Sequence, residues 1–545
     1  MRFSRLALSG LALVALAASA AAARGPVPMS SSAIMFYDSE FQPWYGQPIS
    51  QCELLLNRAK EGGSNSVNLV PTQYWIDDAS AKYQPNVCHP DNWAENQKVS
   101  YYCSRFEWNS NCEPFNAQNI ARFEKGIKGC IQKAHDMFDE VLISPHLDDG
   151  TKTMHWRNML FFDPYTKDKY GYSYWDIMLN PILKAVKEVY TKPGKRFIFG
   201  PEGEMGGTVF YAPASYQKVV DTIKSEYKGP AKVDTALMFN HAYLPGVINR
   251  AEDVYGALPQ SKMWKLDGGW GALKPFEQWP EYARLKASQP ALIKLLNSVD
   301  VLGVSCYARA SETPKPSELE SCAVKYDAEL KAQGFDLKAW AAKPGKQFIY
   351  NEFALGGGIS ECGDTPAKTR AEAGRFPWLG ATTTYSWNLN PWKDALISQY
   401  NRDWYKAAMD LFRTGGLQYP ISGVYLWNVV SWDVQGIHPA SSEWGNLNNS
   451  YRDTTIMEWI KQYNAKAVKA VRGAAAGAAE PEAAKPDAKK PEAKKPEADA
   501  KKPAAEAKKP AAEAKAPKKE APKDAKKAGG KDQAAQKARK ALPSL

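Results

Sequence analysis

Eight short apolar runs alternate along this chain with longer amphipathic stretches, and that alternation restricts the fold more than any other feature. The runs cover residues 33–38, 66–72, 140–146, 196–200, 235–240, 299–307, 347–352 and 423–428. Helical periodicity fills the intervals at 50–61, 117–138, 174–191, 216–227, 280–297, 319–333 and 404–413, and a last helix is predicted near 454–471. Parallel strands cannot be joined by a tight turn; they need a crossover long enough to hold a helix. A doubly wound nucleotide-binding sheet would want a Gly-rich phosphate turn after its first strand, and none occurs there. The expected fold class is therefore α/β, a (β/α)₈ TIM barrel between about residues 31 and 471.

The N-terminus is expected to lie outside that barrel. Arg2 and Arg5 precede an apolar stretch from Leu6 to Leu16, and small residues follow as far as Ala23. This is a signal-peptide pattern over residues 1–23, with an apolar segment too short to span a bilayer. The mature chain is expected to be secreted, extracellular or wall-associated, with no membrane span. Eight cysteines agree with an oxidising destination. Five of them (Cys52, Cys88, Cys103, Cys112 and Cys130) cluster early, so disulfide-stapled loop insertions are expected. Cys103 and Cys112 bracket an Asn/Ser-rich turn and suit a local pair. The insertion at 74–116 follows the second strand and should sit over the active-site face.

The formal net charge of +11 suggests nucleic acid until it is divided along the chain. Residues 473–545 hold 19 Lys/Arg against 11 Asp/Glu, so the body from Arg24 to Arg472 is almost neutral. No nucleic-acid partner is expected. The tail repeats Ala-Lys-Lys-Pro and Ala-Glu-Ala-Lys units without aromatic residues, a composition that cannot bury enough surface to offset chain entropy. A disordered tail is expected, either a solvated spacer or a polycation for acidic wall or matrix polymer. The catalytic body is set at residues 24–472.

Catalytic groups of a barrel stand at the C-terminal ends of its strands. Two of the runs end in glutamate: Arg196-Phe-Ile-Phe-Gly-Pro-Glu202-Gly-Glu204, and Lys346-Gln-Phe-Ile-Tyr-Asn-Glu352. The other strand ends supply Asp38, His146, Asp148, Asn240, His241, Tyr307, Trp427 and, just beyond, Trp432. A polar, aromatic rim of this kind fits a carbohydrate site, and glycoside hydrolysis needs two carboxyl groups flanking one bond. His146 with Asp148 could ligate a metal, but hydrogen bonding to sugar hydroxyls suits them better; no cofactor is expected. G-x-S-x-G, H-E-x-x-H and Walker-type motifs are absent, as is the acidic strand of chitinase-like barrels.

The pattern resembles the clan A retaining glycoside hydrolases. Their acid/base glutamate follows the fourth strand, where Glu202 and Glu204 stand, and their nucleophile ends the seventh, as Glu352 does. Val299-Asp-Val-Leu-Gly-Val-Ser-Cys-Tyr307 looks like the clan's sixth strand, and Gly423-Val-Tyr-Leu-Trp427 like its eighth. The resemblance implies double displacement on a polysaccharide, β-linked in most of the clan. Glu352 would be the nucleophile oriented by Tyr307, Glu204 the acid/base with Glu202 as alternative, and Trp427 a sugar floor. The chain departs from the pattern before the acid: Pro201 and Gly203 stand where many members carry Asn. A hydroxyl contact is then expected from Asn240 or His241. Two glutamates two residues apart on an extended strand would share a face, which leaves the choice between them open. A non-catalytic carbohydrate-binding or wall-matrix protein on the same scaffold is the alternative.

Overall fold

A computed structural model of the chain describes residues 25–36, 49–78, 96–105, 112–150, 155–250, 272–355, 359–360, 365–375, 394–427 and 453–478. Eight parallel strands close into a barrel: β1 (Met29–Phe36), β2 (Ser66–Ile76), β3 (Glu140–Ile143), β4 (Arg196–Phe199), β5 (Lys232–Asn240), β6 (Val301–Cys306), β7 (Gln347–Phe353) and β8 (Ile421–Leu426). Each pairs with the next in chain order. Ser31 of β1 lies opposite Val67 of β2 on one side and Leu426 of β8 on the other, which closes the ring.

Eight helices follow the strands: α1 (Gln51–Glu61), α2 (Ala117–Met137), α3 (Asn180–Val189), α4 (Pro213–Glu226), α5 (Tyr282–Ser298), α6 (Ser321–Ala332), α7 (Ala395–Arg413) and α8 (Thr454–Ala478). Their starts are written locally. Ser50 caps α1 by accepting the Glu53 N–H, Asn116 and Asn119 form a reciprocal box at α2, and Asp394 accepts two N–H groups at α7. The barrel lumen is filled, not open, by Leu142, Ile198, Ala236, Met238, Val301, Ile349 and Tyr425. At the N-terminal end Arg196 plugs it, donating to Glu140, Asp234 and Gln347 at 2.6–2.7 Å. That leaves the opposite mouth for chemistry.

The expected strands are all present, with shifted ends. The third, expected over 140–146, is broken in two. It stops at Ile143; after Ser144 and Pro145 a separate short strand, His146–Asp149, pairs with the far half of β2. Proline has no N–H to donate and breaks the ladder there. The helix expected at 319–333 likewise begins as a separate turn, Pro316–Leu319, before α6. Helix α8 continues through Ala478, beyond the expected boundary of the body.

Disulfides join Cys52 to Cys130 (α1 to α2), Cys103 to Cys112, and Cys306 to Cys322 (the end of β6 to α6). The insertion after β2 folds back as Tyr101–Arg105, antiparallel to Tyr74–Ile76. No helix among the described residues is long and apolar enough to cross a membrane. The signal-peptide segment, Cys88, Cys362 and residues 479–545 lie outside the described residues.

Candidate active site

Strand β4 ends at Phe199, and the chain turns before it reaches the two glutamates. A side chain at Gly203 would come within 2.7 Å of the His146 ring, so only glycine lets this loop lie against it. Glu204 then takes φ +57°, a left-handed conformation that costs a non-glycine residue about 1–2 kcal/mol. Its N–H is held by the Met238 carbonyl of β5 at 2.8 Å. Because the extended strand has already ended, the two carboxyl groups do not share a face.

Glu202 is fully buried, and its oxygens accept the backbone N–H groups of Met238 at 2.6 Å and Met205 at 3.0 Å. It staples the loop to β5. Burial pushes its carboxyl up to about 8, against the pull of those two N–H donors.

Glu204 and Glu352 are brought together instead, each nearly buried and each with its own partners. Tyr307 donates its hydroxyl to Glu352 Oε2 at 2.8 Å, and His146 Nε2 lies 3.0 Å from Glu352 Oε1. The His146 ring stacks on Trp427 with ring centroids 6.0 Å apart. On the other side, Arg157 Nη1 donates to Glu204 Oε2 at 2.7 Å and Asn240 Nδ2 to Glu204 Oε1 at 3.1 Å. Arg157 also gives Nε and Nη2 to Asp148 Oδ1, at 3.0 and 2.6 Å.

The electrostatics follow from burial. Desolvation pushes the Glu352 carboxyl up to about 7, opposed by the Arg157 charge and the Tyr307 hydroxyl. Glu204 is raised as well, first by burial and then by the Glu352 charge, while Arg157 and the Ser305 hydroxyl oppose. Each negative charge opposes ionisation of the other, so the two carboxyl groups titrate as a coupled pair. His146 is held neutral, its pKa lowered to about 3 by burial and then by Arg157.

Of the remaining predicted residues, His241 donates its backbone N–H to Asn240 Oδ1 at 2.8 Å, and its Nδ1 lies 3.2 Å from the Ser305 carbonyl oxygen. Burial holds it well below the usual histidine range. Trp427 and Tyr307 pack with Ile34, Val70 and Ala354 around the mouth. Asp38 and Trp432 lie outside the described residues. Sequence reasoning missed Arg157, Asn158 and Ser305. Arg157 and Asn158 stand in a short 3₁₀ turn after the His146 strand, with no motif to mark them; Ser305 is hidden inside β6.

No protein-family profile and no curated protein matches the chain. Solved structures with a similar chain path include the family 113 β-mannanase AaManA of Alicyclobacillus acidocaldarius in complex with ManMIm, at 12% identity and TM-score 0.35, over 82% of this chain and 99% of that one. A family 5 mannosidase of Rhizomucor miehei follows at 11% identity and TM-score 0.33, over 82% and 95%. A family 5 subfamily 18 protein of Bifidobacterium longum subsp. infantis stands at 10% and 0.33, over 81% and 79%. These likenesses concern the fold alone. The closed ring of eight parallel strands in this chain is a (β/α)₈ barrel in its own right.

Proposed function

We propose that this chain is a secreted glycoside hydrolase that cuts a β-linked polysaccharide or oligosaccharide by retaining double displacement. The observation that carries the reading is the position of Glu204 just beyond the fourth barrel strand and of Glu352 at the end of the seventh, in one buried cluster with separate partners. Glu352 would attack the anomeric carbon as a carboxylate, aimed by Tyr307. Glu204 would protonate the leaving oxygen and then take a proton from the attacking water.

A carboxyl group paired with a guanidinium is a poor acid unless the cation is already engaged. Arg157 directs two of its nitrogens at Asp148 and one at Glu204, so Asp148 neutralises most of its charge and leaves Glu204 able to hold a proton. Asn240 beside Glu204 is suited to a substrate hydroxyl, the role the residues preceding Glu204 cannot fill. His146 and Trp427 offer a ring face to a sugar, and Asp38, His241 and Trp432 are proposed to extend the same mouth. The three disulfides support passage through an oxidising compartment, and the basic tail is proposed to hold the enzyme on acidic polymer.

The test is hydrolysis of a glycan panel, with the product anomer followed by NMR, for the wild type, Glu204→Gln and Glu352→Gln. Both substitutions should abolish turnover, and the first-formed product should keep the substrate's anomeric configuration. Azide should restore turnover of a dinitrophenyl glycoside by Glu352→Gly. Undiminished hydrolysis by both glutamine variants would reject the catalytic pair. A wild type that binds glycans and cleaves none would favour a non-catalytic carbohydrate-binding protein.

A further inference from the structure

Helix α6 carries a fully buried carboxylate, Glu329, that takes no part in the chemistry above. Its two oxygens accept four donors from the turn after β5: Tyr243 N–H (3.0 Å), Leu244 N–H (2.9 Å), Asn249 Nδ2 (2.9 Å) and Arg250 Nη2 (2.9 Å). Four donors on one desolvated carboxylate fix the turn tightly, because removing the acceptor would strip a buried charged partner from every one of them. Tyr243 is held there at φ +57°, the same left-handed region as Glu204.

That turn is in direct contact with the loop bearing Glu204. The Tyr243 carbonyl accepts Asn158 Nδ2 at 2.6 Å, and Asn158 Oδ1 accepts the Gly206 N–H at 3.1 Å, two residues beyond Glu204. The backbones touch as well: a side chain at Gly206 would come within 2.2 Å of the Leu244 carbonyl oxygen. Asn158 also adjoins Arg157, which grips Glu204 directly. We infer that Glu329 and Asn158 are positioning residues that hold Glu204 in its strained, active orientation, by way of the turn after β5. Glu329 fixes the turn, the turn fixes Asn158, and Asn158 fixes both ends of the approach to Glu204. A left-handed glutamate persists only where its surroundings over-determine it, and this chain of contacts supplies the restraint.

The inference rests on Glu204 being the acid/base, so the experiment separates the two. Phenyl and dinitrophenyl β-glycosides of glucose, mannose, galactose and xylose serve as probes. A dinitrophenolate leaves without help, whereas a phenolate needs the acid. Asn158→Ala and Glu329→Gln should lower kcat on the phenyl glycosides by about tenfold more than on the dinitrophenyl ones, with KM little changed. Titration of the Glu204 carboxyl by carbon NMR should shift in both variants. Asn158→Ala leaves the Glu329 cluster whole and keeps the test alive if Glu329→Gln does not fold. An unchanged leaving-group ratio with an unchanged Glu204 titration in Asn158→Ala would overturn the inference. A wild type that cleaves neither series and no member of the glycan panel would reject the hydrolase reading alone, and the titration would still decide the positioning role.

Discussion

At the scale of single residues, the site is a balance between burial, which favours the neutral carboxyl, and a few donors that favour the charge. Tyr307 is the donor on Glu352, so Tyr307→Phe removes a bond to a charged acceptor, worth about 1.5–3 kcal/mol. Turnover should fall by about 10- to 150-fold, the same free energy expressed as rate. The carboxylate loses stabilisation, so the Glu352 pKa rises above its value of about 7 and the acid limb of the kcat/KM profile moves to higher pH. A pH–rate series on the variant checks the direction. Glu202 makes a separate prediction. Its folded pKa, about 8, exceeds the ordinary 4.5, so the folded chain binds a proton that the unfolded chain has released. Its stabilising contribution is fully present below about pH 4.5 and is lost as pH rises through about 8. Glu202→Gln mimics the protonated form, and its melting temperature should fall less between pH 5 and 8 than that of the wild type.

At the scale of elements, the strands were legible because period and composition agree at each: all eight fall within a few residues of their predicted ends. What was lost was lost at strand ends, where a single residue decides. Pro145 cuts β3 short of His146, and the turn at Gly200–Gly203 ends β4 before the glutamates, so the rule of alternating faces no longer applied to Glu202 and Glu204. Arg157 and Asn158 were illegible for a different reason, since a loop residue's partner is set by tertiary contact and not by spacing. The Cys103–Cys112 pair was readable because it is local; Cys52–Cys130 joins two helices 78 residues apart and was not. Chain entropy orders their contributions. Replacing Cys52 and Cys130 by Ala should cost about 4 kcal/mol and replacing Cys103 and Cys112 about 3 kcal/mol. Urea unfolding of the two double variants measures it, and a larger loss at the shorter loop would contradict the loop-entropy argument.

At the scale of the whole molecule, charge is partitioned as sharply as structure. Of the +11, a net +8 resides after Ala478, where helix α8 ends its described course, and the barrel body is close to neutral. A neutral body gives a glycan no electrostatic reason to stay, whereas 19 basic residues in one short segment attract any dense polyanion. Such attraction is long-ranged only at low ionic strength, since the screening length falls from about 10 Å at 0.1 M salt to about 3 Å at 1 M. Deleting residues 479–545 should therefore abolish retention on an acidic polysaccharide such as pectate at 50 mM salt while leaving kcat and KM on a neutral soluble oligosaccharide unchanged. The full chain should release from the same polymer as salt is raised toward 1 M. Retention that survives both the deletion and the salt would assign binding to the barrel mouth, and the tail would then be a spacer with no adhesive role.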